Sequence, residues 1–274
     1  MKISEIPTHP IPLTGEQAEA MEQRHLKKHH LAIILLHWSN ALVWLIELVT
    51  GLALISSPAF RIAPDWYITV VEGIFGTRAA MLQVHVAVGI AWGVVFLAYG
   101  IFGHRTYLAQ EVLKKEIALD EDDFRWLKVR VLGILGRSKE PLPPQGVYNA
   151  GQKLFALMVY VMLPVILLTG FIMAFHLFGS TVVGWAVVIH FCAVGVVVSG
   201  LIVHVYMGAV FPEEKPAFFS MITGTVNELF AYSHHFKWWK EMKEEELAWE
   251  HRHDEVVAEE LGESESVRPQ TPNA

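Results

Sequence analysis

Residues 185–211, WAVVIHFCAVGVVVSGLIVHVYMGAVF, run for 27 positions without a Lys, Arg, Asp or Glu. A stretch of that length and polarity is predicted to cross a bilayer as a helix. It carries two histidines, His190 and His204. Fourteen residues apart, they are separated by roughly 21 Å along a helix axis. At about 3.5 residues per turn, fourteen residues make four full turns, so both rings share one face. One ring then lies near each edge of a hydrocarbon core about 30 Å thick. An imidazole at such a depth needs a partner. Two of them on one face, at two depths, predict two stacked metal cofactors, each lacking a second ligand.

Three further apolar stretches, 33–54, 80–102 and 153–175, approach the ~20 residues that a spanning helix needs. The chain is 53% hydrophobic over 274 residues, too apolar for an ordinary soluble domain and too long for a single span. The predicted fold class is therefore all-α, an integral membrane four-helix bundle. Basic residues set its orientation. Lys2, Arg24, Lys27 and Lys28 precede the first span, and Arg105, Lys114, Lys115, Arg125, Lys128, Arg130, Arg137 and Lys139 separate the second from the third. Only Arg61 and Arg78 lie between the first two spans, and none between the last two. This asymmetry predicts a multi-pass protein of the bacterial inner membrane with both termini cytoplasmic. The N-terminal MKISEIPTHPIPLTGEQ has no apolar core, so no cleavable signal peptide is expected. The net charge of −7 without a basic block argues against nucleic acid as a partner. Cys192, the single cysteine, excludes an intrachain disulfide, and no CxxCH occurs for covalent haem attachment.

The expected organisation is a cytoplasmic segment 1–32, the membrane domain 33–211 with its cytoplasmic loop 103–151, an amphipathic segment 212–250 at the lipid headgroups or against a partner, and an acidic, disordered tail 251–274. Within the loop, DEDDFRWLKVRVLGIL has the acidic start and spacing of an amphipathic surface helix. The tail is rich in acidic residues, Ser, Pro and Gln.

Antiparallel threading supplies the missing ligands. His37, at the cytoplasmic start of the first span, falls level with His204. His85, at the outer start of the second, falls level with His190. Neutral imidazoles on both sides of a haem iron give a six-coordinate electron-transfer centre. The alternative is four core histidines, each bonded to a neighbouring carbonyl or hydroxyl. Gly51, Gly89, Gly93, Gly195, Ser199 and Gly200 lie on or near the same faces and leave room for a flat macrocycle; helix–helix packing accounts for Gly89 and Gly93 equally well. Of the remaining histidines, His29 and His30 are candidates for touching a haem propionate, His104 and His176 sit at span ends, and the others fall in polar segments. Glu47, in mid-span, is expected to be protonated or hydrogen-bonded, as a proton relay or as a polar contact to another helix or subunit. Arg78 suits either an outer propionate or the outer headgroups.

These residues carry a resemblance. HW at positions 37–38, His85 with Gly89, NAGQK at 149–153 and HFCAVGVVVSGLIVHVYMG resemble the bacterial di-haem cytochrome b family. That family includes the cytochrome b (gamma) subunits of membrane-bound formate dehydrogenases and of nickel–iron hydrogenases, and MITGTVNELFAYSHHFKWW looks most like the former. The resemblance covers roughly residues 35–239. It implies that His37 and His204 bind one haem b, that His85 and His190 bind a second, and that Asn149, Gly151 and Gln152 line a menaquinone or ubiquinone site. Apart from the resemblance, NAGQK reads first as a helix start, with Asn149 as cap and Gln152 three residues on, and one residue can serve both roles. The implied partners are an iron–sulfur subunit and a catalytic dehydrogenase subunit, with membrane lipid around the bundle. The implied activity is electron transfer between that dehydrogenase and quinone, with no substrate-oxidising site in this chain. A cytochrome b subunit of another respiratory oxidoreductase, or a haem-containing anchor without quinone turnover, is the competing expectation.

Overall fold

The computed structural model describes residues 3–55, 60–106 and 116–266. In chain order its α-helices are α1 (Gly15–Gln23), α2 (Leu31–Leu54), α3 (Asp65–Phe75), α4 (Arg78–Phe102), α5 (Glu121–Ile134), α6 (Ala150–Ala174), α7 (Gly179–Val205), α8 (Lys215–Thr223), α9 (Glu228–His234) and α10 (Phe236–Ser266). Two three-residue strands, His25–Lys27 and Thr225–Asn227, and short 3-10 turns at Ile3–Glu5, Gly103–Arg105 and Pro212–Glu214 accompany them. Helices α2, α4, α6 and α7 are long and apolar enough to cross a membrane, so the protein is a helical membrane bundle. The chain packs as two units. One comprises Lys27–Asp120 and Ala150–Val226; the other comprises Met1–Leu26, Glu121–Asn149 and Asn227–Ala274. This division differs from the expected one, in which the whole loop 103–151 belonged with the bundle.

In the bundle unit α6 packs along α7, α2 along α4, α4 against α6, and the short α3 against both α2 and α4. Large apolar side chains such as Leu42, Leu45, Val94, Leu97, Leu168 and Ile202 face outward, as lipid-facing residues do. The fourth span starts at Gly179, six residues earlier than its charge-free core suggested. His176, Phe178 and Gly179 all have positive φ, at 49°, 63° and 83°. That left-handed turn reverses the chain between α6 and α7 in four residues. Past His204 the helix loosens into a π-turn over Tyr206–Val210, where the Phe211 N–H donates to the Tyr206 carbonyl at 3.0 Å.

Where α3 meets α2 and α4, Ala53, Val71 and Met81 form a buried cluster with Val49, Leu54, Tyr67 and Phe75 around it. Arg78 closes this end. Its guanidinium donates to the carbonyls of Ala53 at 3.2 Å and Leu54 at 2.7 Å, and pairs with Glu72 at 2.9 Å. Arg78 thus satisfies the last carbonyls of α2, where the helix dipole favours a cation.

The second unit is organised around Glu228, which is 2% exposed. Its carboxylate accepts from Trp239 Nε1 at 2.8 Å and pairs with Lys243 at 3.0 Å and Arg24 at 3.4 Å. Its own N–H donates to the Arg24 carbonyl at 2.7 Å. The Tyr232 hydroxyl donates to the Ile11 carbonyl and accepts from the Ile11 N–H, pinning the N-terminal segment. His235, read from the sequence as an ordinary polar-segment histidine, is fully buried, with Nδ1 2.7 Å from the Gly146 carbonyl. Helix α10 runs on to Ser266, past residue 251, where the expected tail begins. Its Glu, Ala and Leu content favours helix. Residues 267–274 and the His104 side chain lie outside the described residues.

Breaking a buried ion pair by removing one partner leaves the other charge uncompensated, at about 3–5 kcal/mol. Glu228→Ala removes the buried carboxylate from this cluster and leaves Lys243 and Arg24 with Glu246 alone, so its cost is expected at or below the low end of that range. It is expected to lower the thermal unfolding midpoint of the second unit and to raise hydrogen exchange across α9 and the first half of α10. Exchange measured by mass spectrometry on the full chain checks both.

Candidate functional site

Two histidine pairs lie along the bundle. At one end, His37 from α2 and His204 from α7 face each other with ring centroids 6.3 Å apart and planes tilted by 54°. Both side chains have neighbours that hold them. Trp38 stands edge-on to His37 at 5.2 Å, and its own Nε1 donates to the Met221 carbonyl at 2.7 Å. Phe155 of α6 stacks on His204 at 4.8 Å, 15° from parallel. The Nδ1 atom of His37 is buried and has no hydrogen-bond partner. An imidazole binds a metal at about 2 Å, so two rings on opposite sides of one ion stand about 6 Å apart centre to centre.

At the other end, His85 from α4 and His190 from α7 lie within electrostatic reach of each other. Each Nδ1 is held by a threonine on a neighbouring helix. Thr50 Oγ1 of α2 lies 2.9 Å from His85 Nδ1, and Thr169 Oγ1 of α6 lies 3.0 Å from His190 Nδ1. His190 Nδ1 also meets the Ile166 carbonyl at 3.1 Å. His85 Nδ1 also meets Glu47 Oε2 at 2.9 Å. Glu47 is thus a polar contact to another helix, one of the two roles that its mid-span position suggested, although its Oε1 is buried without a partner. The glycine after each threonine makes room for a ring. A Cβ on Gly51 would stand 3.3 Å from His85 Cε1, and one on Gly170 would stand 3.4 Å from His190 Cε1.

The other small residues divide. A Cβ on Gly89 would meet the Glu47 carboxylate, and one on Gly93 would meet Leu167. At Gly200 a Cβ would collide with Met158 Cε and stand 2.9 Å from Phe155, so this glycine lets α6 and α7 approach closely. Gly195 has open space where its Cβ would be. His29 is buried, with its N–H donating to the Gly224 carbonyl at 3.0 Å. Burial, reinforced by Lys28 and His37 nearby, pushes its pKa down to about 3, so it is neutral at physiological pH. Asn149 immediately precedes α6, whose first residues are Ala150, Gly151 and Gln152. Phe155, on His204, follows Gly151 by four residues and Gln152 by three.

The profile described as prokaryotic cytochrome b561 matches residues 28–224. The chain belongs to the prokaryotic cytochrome b561 family. The matched range contains both histidine pairs, all four spans and NAGQK. A curated relative from Haemophilus influenzae, "Formate dehydrogenase, cytochrome b556 subunit", is 25% identical over 227 residues, which is 81% of this chain and 86% of the relative. In Escherichia coli, "Formate dehydrogenase, nitrate-inducible, cytochrome b556(Fdn) subunit" is 29% identical over 131 residues, covering 46% of this chain and 58% of that protein. A Shigella flexneri protein of the same description matches to the same extent.

Membership of a cytochrome b family implies haem b, and the donor set suits that group. The His37–His204 separation matches the spacing that two axial imidazoles need. At the other pair, Nδ1 of each ring is turned to an acceptor, which leaves Nε2 for a metal. Two partners of this site escaped the sequence reading, Thr50 and Thr169. The signal was present, since Thr-Gly recurs in VTGLAL of α2 and LTGFIM of α6.

Gly200 supports the His204 end by keeping Phe155 in place. Adding bulk there forces an overpacked contact that costs about 1–3 kcal/mol. Gly200→Val is therefore expected to lower the unfolding temperature and to alter the haem absorbance spectrum, and Gly200→Ala to do so less, because Met158 can swing aside. Thermal melts and reduced-minus-oxidised spectra of the purified variants check this.

Proposed function

We propose that this chain is the membrane cytochrome b subunit of a formate dehydrogenase complex, carrying electrons between a peripheral dehydrogenase and the quinone pool. The observation that carries the reading is the facing of His37 and His204 at 6.3 Å, with a second pair, His85 and His190, further along the same helix α7. His37 and His204 hold one haem b and His85 and His190 a second. Bound in this way, haem b supplies reversible one-electron transfer at two depths of the membrane. The likeness to formate dehydrogenase subunits over 81% of the chain supports the choice of partner complex, with an iron–sulfur subunit delivering electrons. The charge asymmetry of the loops supports cytoplasmic termini, with the His37–His204 pair at the cytoplasmic side of the membrane and the His85–His190 pair towards the partner's electron-transfer subunit.

The quinone, menaquinone or ubiquinone, binds beside the start of α6. Asn149 and Gln152 supply amide donors for its carbonyls, and Gly151 lets the ring approach the backbone. Phe155 supports this placement: its ring stacks on His204 one turn beyond Gly151 and Gln152. Protons for quinone reduction enter from the cytoplasmic side.

A pyridine haemochrome assay is expected to find two non-covalent haems b per chain, extractable by acidic acetone. His37→Ala and His204→Ala should each remove the same redox centre, and His85→Ala and His190→Ala the other. One haem per chain, or a shared loss between His37→Ala and His190→Ala in potentiometric titration, overturns the assignment.

Gln152→Leu removes one hydrogen-bond donor while keeping bulk, a loss of about 0.5–1.5 kcal/mol. It is expected to slow stopped-flow oxidation of the reduced protein by quinone from a few-fold to about tenfold, with haem content unchanged. Unaltered kinetics in a Gly151→Val, Gln152→Leu double variant with full haem would leave NAGQK as a helix start alone.

A further inference from the structure

Thr50 of α2 and Thr169 of α6 are used in the same way. Thr50 Oγ1 donates to the Ile46 carbonyl at 2.7 Å, and Thr169 Oγ1 donates to the Val165 carbonyl at 2.7 Å. Each bond runs back four residues along its own helix. A hydroxyl has one proton. With that proton on the helix carbonyl, only a lone pair remains for the imidazole, so the histidine nitrogen must be the donor. His85 Nδ1, 2.9 Å from Thr50 Oγ1, and His190 Nδ1, 3.0 Å from Thr169 Oγ1, therefore carry the protons. The Ile166 carbonyl, which can only accept, imposes the same state on His190 independently at 3.1 Å. Both threonines are buried, at 0% and 6% exposure, so no water competes for the contact.

We infer that Thr50 and Thr169 are a matched pair of positioning residues, fixing the protonated nitrogen and the ring plane of His85 and His190 so that both present Nε2 to the same haem. This rests on the reading of these histidines as haem ligands. The device has two parts one residue apart in sequence. The threonine holds Nδ1, and the following glycine, Gly51 or Gly170, leaves the gap into which the ring edge fits, with a would-be Cβ only 3.3 or 3.4 Å from Cε1. The His37–His204 end is built differently. His37 Nδ1 is buried with no acceptor, and aromatic rings rather than hydroxyls hold that pair. One end of the bundle thus sets its imidazoles by hydrogen bonds and the other by stacking. A hydrogen bond from Nδ1–H makes an imidazole a stronger donor to the metal and favours the ferric form.

The test uses Thr50→Val and Thr169→Val, singly and together, with Thr50→Ser and Thr169→Ser as partners that keep the hydroxyl. Each variant is examined in the full-length, haem-loaded protein for haem content, for the two midpoint potentials and for the low-spin ferric EPR signals. In the valine variants the centre lost in His85→Ala is expected to shift its EPR signal. Its ferric–ferrous ratio at fixed potential should fall by up to tenfold, which is about 59 mV for a one-electron couple. The centre lost in His204→Ala should stay in place as an internal control, and the serine variants should match the native protein. Loss of the first centre alone in the double valine variant, restored in the double serine variant, also supports the inference. Native signals and potentials in the double valine variant with two haems bound overturn it, as does a serine variant that shifts as far as valine, which would mark the effect as packing. A native protein that binds fewer than two haems refutes the underlying haem assignment instead.

Discussion

Holding imidazoles inside an apolar bundle is the constraint on which this molecule depends. A polar ring at that depth has no water to bond, so its nitrogens must find partners on other helices. His85 and His190 meet this demand at Nδ1 through groups on neighbouring helices, whereas His37 Nδ1 stays without a hydrogen-bond partner. His85 takes Thr50 and Glu47 from α2, and His190 takes Thr169 and the Ile166 carbonyl from α6. His37 and His204 face each other across α2 and α7. The requirement thus ties all four spans together, because α2, α4, α6 and α7 each supply a histidine or a group that holds one.

The same constraint explains where small residues occur. A helix that presents a hydroxyl to a ring must also leave space for the ring, and the Thr-Gly pair does both within two positions. At Gly200 the space serves a different purpose. It brings α6 close enough to α7 for Phe155 to lie flat on His204. Arg78 shows the parallel problem at a helix end, where the last carbonyls of α2 are satisfied by a guanidinium from the start of α4. In the second unit a buried carboxylate takes the organising role, and Glu228 is fully satisfied by an indole, an ammonium and a guanidinium.

Much of the bundle was legible in the sequence. Three of the spans begin within three residues of their expected starts and end within one of their expected ends, and the meeting of His37 with His204 follows from antiparallel depth alone. Gly51, fourteen residues after His37, does lie at the depth of the other histidine pair, against His85. What was missed has local causes. The early start of α7 is set by the left-handed turn at His176, Phe178 and Gly179, which hydropathy does not report. The helical course of residues 251–266 accords with the propensity of Glu, Ala and Leu. Helix α3 sits between two spans and is too short to stand out from the apolar background.

By itself, then, the sequence determined the number of spans, the face of α7 that carries both histidines, and the depth of each ring. These are one-dimensional properties: rise per residue and turn angle are nearly constant along a helix, so spacing converts directly into depth and face. Only the tertiary structure decided which side chain lies beside each Nδ1. That depends on how far each helix is rotated about its axis and how closely it approaches its neighbour, and both follow from packing among residues distant in the chain. Thr50 and Glu47 stand 35 and 38 positions before His85, and although Thr-Gly and a mid-span carboxylate can be seen in the sequence, neither says which ring it meets. The hydrogen bonds that fix the imidazoles therefore come into existence only when the bundle closes.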